Sequence, residues 1–190
     1  MEVASNSLNV LVFLVKTFTD LYLLIVVLRL LLQYVGADYY NPFSQFVVQV
    51  TNPLVRPLRR LLPSIGKLDL ATVAVLIGLQ IAVTYLLVSL FGFNPPAGTL
   101  LWLAFLRLIS LVIWAYTLAI FLSIILSWIA PGSYNPIGAV AASIAEPVIR
   151  PFRRIIPPMG GFDFSPAIAL ILLYAASIAL NDLGLPTALR

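Results

Sequence analysis

Hydrophobic positions in this chain run on for twenty residues or more, without the regular polar positions that would give a helix a wet face. Such runs extend from about Leu8 to Val35, from Ala71 to Phe91 (ATVAVLIGLQIAVTYLLVSLF) and from about Leu100 to Ala130. A fourth and shortest run, SPAIALILLYAASIAL, begins at Ser165 and ends before Asn181-Asp182. A bilayer crossing takes roughly 20 apolar residues as helix, and an open strand would leave its backbone groups unpaired in lipid. The pattern therefore predicts an all-α membrane protein with four transmembrane helices.

The pattern breaks in two different ways between the runs. FNPPAG, between the second and third, is a short uncharged turn. The other two connections are long, basic and proline-rich, and they are copies of one another. NPLVRPLRRLLPSIGKLDL (Asn52–Leu70) returns as EPVIRPFRRIIPPMGGFDF (Glu146–Phe164), 94 positions later. The same offset relates Asn41-Pro42 to Asn135-Pro136, Pro53 to Pro147, Arg56 to Arg150 and Pro57 to Pro151. It also relates Arg59-Arg60 to Arg153-Arg154, Pro63 to Pro157, Gly66 to Gly160 and Asp69 to Asp163. So many rare residue types in register mark an internal duplication. The chain divides into repeat 1 (1–91, basic segment 41–67), a connecting turn (92–99) and repeat 2 (100–190, basic segment 135–161). Two spans per repeat bring both repeats in from the same side, as parallel span–amphipathic segment–span units.

Within each basic segment the Asn-Pro pair suits an N-cap and first helical residue, which predicts a short helix. Arg56, Arg59 and Arg60 fall on one helical face, with Leu54, Leu58 and Leu61 opposite. Arg150, Arg153 and Arg154 repeat this against Val148, Phe152 and Ile155. Such a helix is expected to lie in the membrane interface with its apolar side down. Pro57 and Pro151 require that the helix start at the preceding arginine or kink there. Pro63 and Pro157 are expected to stop it, with Gly66 and Gly160 allowing a tight reversal. Asp69 and Asp163 stand just before the next span, where a carboxylate suits the helix dipole and can pair with an arginine.

Composition sharpens this picture. The 190 residues are 62% hydrophobic and 9% charged, against roughly a quarter charged in soluble domains. Of eleven basic residues, Arg56, Arg59, Arg60, Arg150, Arg153 and Arg154 lie in the two segments. That localised charge fits anionic lipid headgroups or an acidic protein partner, and not direct nucleic-acid binding. Lys/Arg asymmetry places both basic segments on the cytoplasmic side of an inner (plasma) membrane, or its organellar equivalent, and both termini opposite. Tyr34, Tyr39, Tyr40, Trp128 and Tyr134 cluster at that boundary as an aromatic belt would. MEVASNSLNV lacks the basic start of a signal peptide, so the first span is expected to stay in the mature protein. The chain has no Cys and no His, and only seven carboxylates. Disulfides are excluded, and the composition weighs against an enzyme, a metal site or a cofactor.

Four charges interrupt the spans: Lys16, Asp20, Arg29 and Arg107. Lys16 and Arg107 fall nearer the outer end, where long side chains can snorkel. Asp20 lies near mid-span, at a cost of roughly 2.5–3.5 kcal/mol on insertion scales, so it should face the bundle and find a partner. Lys16, one turn away, is the nearest candidate, and Arg29 is nine residues off. The offset matches Asp20 to Trp114, Arg29 to Ser123 and Arg107 to Phe13, so these charges were not duplicated.

The chain resembles the YggT/YlmG family of small membrane proteins. FTDLYLLIVVLRLLLQY, YNPFSQFVVQVTNPLVRPLRRLLPSIGKLD, SYNPIG and EPVIRPFRRIIPPMGGFDFSP carry the resemblance, in the two-repeat bacterial form. Asp20 and Arg29 fall where the family pattern has an acidic residue and an arginine. The resemblance implies an integral inner-membrane protein without catalytic residues. Its members are linked to cell division, osmotic tolerance, plastid nucleoid distribution and cytochrome complex biogenesis. Two functions follow. One is a scaffold or assembly factor whose arginine segments dock anionic lipid and a membrane or membrane-associated protein, a second copy of the chain included. The other is a small channel or transporter component using Asp20 and Arg29.

Overall fold

The computed structural model describes residues 2–129, 134–156 and 163–184. Pro157 and Gly160, with the rest of 157–161, lie outside the described residues. Among the described residues three helices are long and apolar enough to cross a membrane: α1 (Glu2–Val35, apolar from Asn9), α3 (Leu70–Leu90) and α4 (Ala97–Ile129). α6 (Ser165–Asp182) has 18 residues and an apolar stretch ending at Leu180, short of the roughly 20 that a direct crossing takes. The basic segments form α2 (Pro42–Arg59) and α5 (Pro136–Ile155). A minimal hairpin, β1 (Ser64–Ile65) and β2 (Leu68–Asp69), leads into α3. Gly66 takes φ +57° in its two-residue turn, a conformation that costs an L side chain strain.

The surface is unlike that of a soluble domain. Arg29, Thr51, Thr72, Gln80, Thr84 and Arg107 are buried, while Phe13, Phe18, Trp114 and Tyr174 are each more than 60% exposed. In water that surface would aggregate; in lipid it is solvated, and the polar groups turn inward to one another. This is a membrane protein. The main core joins Leu23, Val26 and Val27 of α1 to Leu87 of α3, Val47 and Val55 of α2, and Ile144 of α5. Small residues let α4 and α5 approach closely: Ala115 and Ala119 on one, Ala141 and Ala145 on the other, all buried.

The basic segments depart from expectation in two respects. Each is a full helix, of 18 and 20 residues, and carries both of its prolines inside it. Pro53 and Pro57, like Pro147 and Pro151, are spaced by four and lie exposed, so the helix loses bonds on its outer side, away from the packed one. The buried faces also differ. Ser44, Val47, Thr51 and Val55 of α2 pack inward, whereas Leu54 is 40% and Leu61 80% exposed. In α5 the inward residues are Val140, Ala141, Ile144, Ala145 and Ile149, with Val148 and Phe152 half-buried and Ile155 exposed. The apolar faces therefore seat on the helical bundle. The expected face missed this because it was drawn only over the C-terminal end of a much longer helix.

Asn41 and Asn135 both cap their helices. Asn41 Oδ1 accepts from Phe43 N, and Asn135 Oδ1 from Ile137 N and Gly138 N. Asn41 does more: its Nδ2 donates to the Pro136 carbonyl at 2.8 Å, joining the starts of α2 and α5, and the residue is 2% exposed. Asn41→Ala is thus expected to cost about 2–3 kcal/mol, a cap plus a buried interhelical bond, against about 1 kcal/mol for Asn135→Ala. Paired thermal unfolding of the two variants in detergent checks this. Equal losses would mean the interhelical bond contributes nothing.

Candidate functional site

Each basic helix is clasped to the following apolar helix by one arginine and one aspartate. In the first copy Arg59 pairs with Asp69, which is wholly buried. Asp69 caps α3, accepting from Ala71 N at 3.2 Å and from Thr72 Oγ1 at 2.9 Å. Burial pushes its carboxyl up, but the bonds from Arg59 and Thr72 and the charges of Arg59 and Arg29 outweigh this and hold it below the usual carboxylate range. In the second copy Arg153 Nε donates to Asp163 Oδ2 at 2.9 Å, and Arg153 Nη1 to Glu146 at 3.0 Å. Asp163 accepts from Ser165 N at the start of α6. Bonds to Asp163 and Glu146 hold the Arg153 guanidinium above its ordinary value. The other arginines of the segments, Arg56, Arg60, Arg150 and Arg154, are exposed, and none has a carboxylate partner among the described residues.

Beside each clasp lies a cavity. The first, about 760 Å³, sits between the end of α1 and the flank of α2. The second, about 780 Å³, sits between α4, α5 and the start of α6. Arg29, Gln33, Val48, Asn52 and Arg59 line the first; Ser123, Ser127, Ala142, Glu146 and Arg153, each 94 positions on, line the second. Arg29 is 5% exposed, and its Nη1 donates to Thr51 Oγ1 (2.7 Å), Asn52 Oδ1 (3.0 Å) and the Val48 carbonyl (3.3 Å). It thereby ties α1 to α2 just before Pro53.

The intramembrane charges do not form one site. Asp20 pairs with Arg107 Nη2 at 2.5 Å, and more loosely with Lys16 at 3.7 Å. Arg107 Nη1 also donates to Thr84 Oγ1 at 3.0 Å. Arg107 is 5% exposed and does not snorkel, which corrects the expectation drawn from its place in the sequence. The offset sets Arg107 level with Phe13, two turns or roughly 10 Å from Asp20 along a helix axis, and its long side chain covers part of that distance. The cluster spans α1, α3 and α4, and a cavity of about 550 Å³ opens on it, lined also by Gln80, Ser110 and Trp114. Ser44, Gln80, Thr84 and Glu146 also line these cavities or bond to their charges, and the sequence motifs do not single them out. Their one signal was a polar side chain amid apolar neighbours.

The family model described as CCB3/YggT matches residues 8–91 and again 102–184. The chain belongs to the CCB3/YggT family. The two matches of this CCB3/YggT chain begin 94 residues apart, the spacing of the Asn-Pro and arginine motifs. An uncharacterised protein of Pseudomonas aeruginosa is 40% identical over 182 residues, covering 94% of this chain and 92% of that protein. The uncharacterised protein YggT of Escherichia coli K12 is 38% identical over 179 residues, covering 92% and 91%. The uncharacterised ycf19 protein of Porphyra purpurea is 32% identical over 74 residues, 38% of this chain and 78% of that protein. No solved structure matches the chain.

Proposed function

We propose that this chain is a non-enzymatic inner-membrane scaffold or assembly factor, built as two parallel repeats with α6 as its fourth span. The observation that carries the reading is the set of exposed arginines without a carboxylate partner among the described residues, Arg56, Arg60, Arg150 and Arg154, on two helices seated on one bundle and bonded at their starts through Asn41. Two positive faces held at a set spacing suit a partner surface as well as a leaflet, because lipid alone needs no fixed geometry. Each arginine near an anionic surface contributes on the order of 1 kcal/mol, a modest anchor that leaves specificity to a protein partner. The basic helices face the cytoplasm, and the partner is a membrane or membrane-associated protein or a second copy of the chain. The processes are those the family resemblance names: cell division, membrane-complex biogenesis or osmotic tolerance.

The test is cross-linked co-purification from native membranes, wild type beside Arg150→Ala/Arg154→Ala, which leaves the Arg153 clasp intact. A partner captured by wild type and lost from an equally abundant variant is the expected result. An unchanged partner list would sink the reading. A second reading, a small channel or transporter component, rests on the cavity that opens on Asp20. It requires that Asp20→Asn abolish solute flux in proteoliposomes.

A further inference from the structure

We propose that the cavity between α1 and α4 binds a monocarboxylate, its carboxylate group held by Lys16 and Ser110 beside the Asp20–Arg107 pair. This rests on the second reading of the proposed function and names what the cavity takes.

The position of the cavity is the first argument. Lys16, Thr17 and Asp20 of α1 line it together with Ser110, Leu111 and Trp114 of α4, and each of the second three stands 94 positions after one of the first. Three equivalent pairs thus share one space. That puts it at the interface of the repeats, where transporters built from repeats hold their substrates. Spacings of three and four residues set Lys16 and Asp20 on one stripe of α1, and Arg107, Ser110 and Trp114 on one stripe of α4. Equivalent positions of parallel repeats lie at one depth, so Lys16 stands level with Ser110, which is a single turn from Arg107.

The charge of the cavity is not balanced. Lys16 and Arg107 are two cations, and Asp20 is the one carboxylate in the three long apolar stretches. Asp20 bonds to Arg107 at 2.5 Å, while its distance to Lys16 is 3.7 Å, too long for a hydrogen bond. The Lys16 ammonium therefore has no acceptor among the described residues. Nor does the Ser110 hydroxyl, although Ser123 and Ser127 of the same helix bond to carbonyls three residues back. An uncompensated cation in a membrane span is costly, and an anion beside it removes that cost. One excess charge is matched by a monoanion; a dianionic phosphate would only reverse the imbalance.

Gln80 is the independent sign. It lines the same cavity at 2% exposure, one turn along α3 from Thr84. Its Oε1 is enclosed without a partner, and its Nε2 donates to no protein group among the described residues. A buried amide left unpaired beside a cavity calls for a polar occupant. Leu21, Leu24, Leu111 and Trp114 supply apolar wall. A space of about 550 Å³ with such walls suits an anion that carries a carbon body, and a bare inorganic ion would leave them unfilled.

The experiment uses the full chain, purified and delipidated in an uncharged detergent. It is titrated separately with sodium acetate, sodium octanoate, octanol and sodium chloride at matched ionic strength. Binding is read by calorimetry and by the rise in unfolding temperature. Saturable one-to-one binding is expected for a carboxylate probe and not for octanol or chloride. Binding of octanoate alone identifies a lipid-borne carboxylate; binding of acetate as well shows that the carboxylate group suffices. Lys16→Gln should weaken binding about tenfold or more, as loss of a hydrogen bond between charged groups does, and Ser110→Ala likewise. Both variants should melt close to wild type when unliganded, because neither side chain makes a hydrogen bond to lose. Lys67→Gln, at the exposed β1–β2 turn, should leave binding unchanged. No saturable binding overturns the proposal. So does equal binding of octanol or chloride, or binding indifferent to Lys16→Gln and Ser110→Ala. Carboxylate binding without flux in proteoliposomes would sink the transport reading and leave the site standing, and flux without carboxylate binding would do the reverse.

Discussion

Asp20→Ala is expected to lower the unfolding free energy by about 3–5 kcal/mol, because it strands a buried guanidinium. Arg107 would keep one neutral bond, to Thr84. Neutral hydrogen bonds between membrane helices average only about 0.6 kcal/mol, so Thr84 cannot make good the loss. Lys16→Ala is expected to matter far less. Its 3.7 Å pairing is looser, its side chain is 23% exposed, and such pairs contribute about 0–1 kcal/mol. The double variant Asp20→Ala/Arg107→Leu should recover more than half of the loss, since it buries no unpaired charge. The measurement is reversible unfolding in mixed detergent across this set. If Asp20→Ala and Lys16→Ala cost the same, Arg107 is not the partner that matters. A stability loss of this size also bears on the transport reading: lost flux in Asp20→Asn counts only if the variant remains folded.

The three long apolar helices and their punctuation were legible because they depend on local chemistry. Asn41 and Asn135 begin helices, Gly66 sits at a reversal, and Asp69 caps the helix that follows; each needs only its neighbours in sequence. Arg107 was not legible, because its role depends on which helix lies opposite. Register within a repeat put it beside apolar residues, and only the packing of α1, α3 and α4 brings Asp20 and Thr84 to it. The inward faces of α2 and α5 were misdrawn for a related reason. A stripe of arginines marks the outer side of a helix only loosely when most of the helix lies upstream of it. The most telling difference lay in the repeats themselves. The sequence offset alone shows Arg29 against Ser123 and Asn52 against Glu146, but without the fold these are scattered substitutions. Once α1–α2 and α4–α5 enclose equivalent cavities, they become a reversal of charge within one kind of site.

Divergence of the copies also predicts unequal costs at the two clasps. Asp69→Ala is expected to destabilise the chain by about 2–4 kcal/mol, and Asp163→Ala by about 1 kcal/mol. Both lose a cap. Asp69, however, is wholly buried, and its removal leaves Thr72, itself buried, with a hydroxyl that has lost its acceptor. It also removes the carboxylate beside Arg59, the one anion partly offsetting the charge of the first cavity. Position 166, which corresponds to Thr72, is proline and has no hydroxyl to strand. Arg153 keeps Glu146 when Asp163 is lost. Thermal unfolding in detergent separates the two variants. Equal losses would show that the capping bond common to both copies accounts for the whole effect.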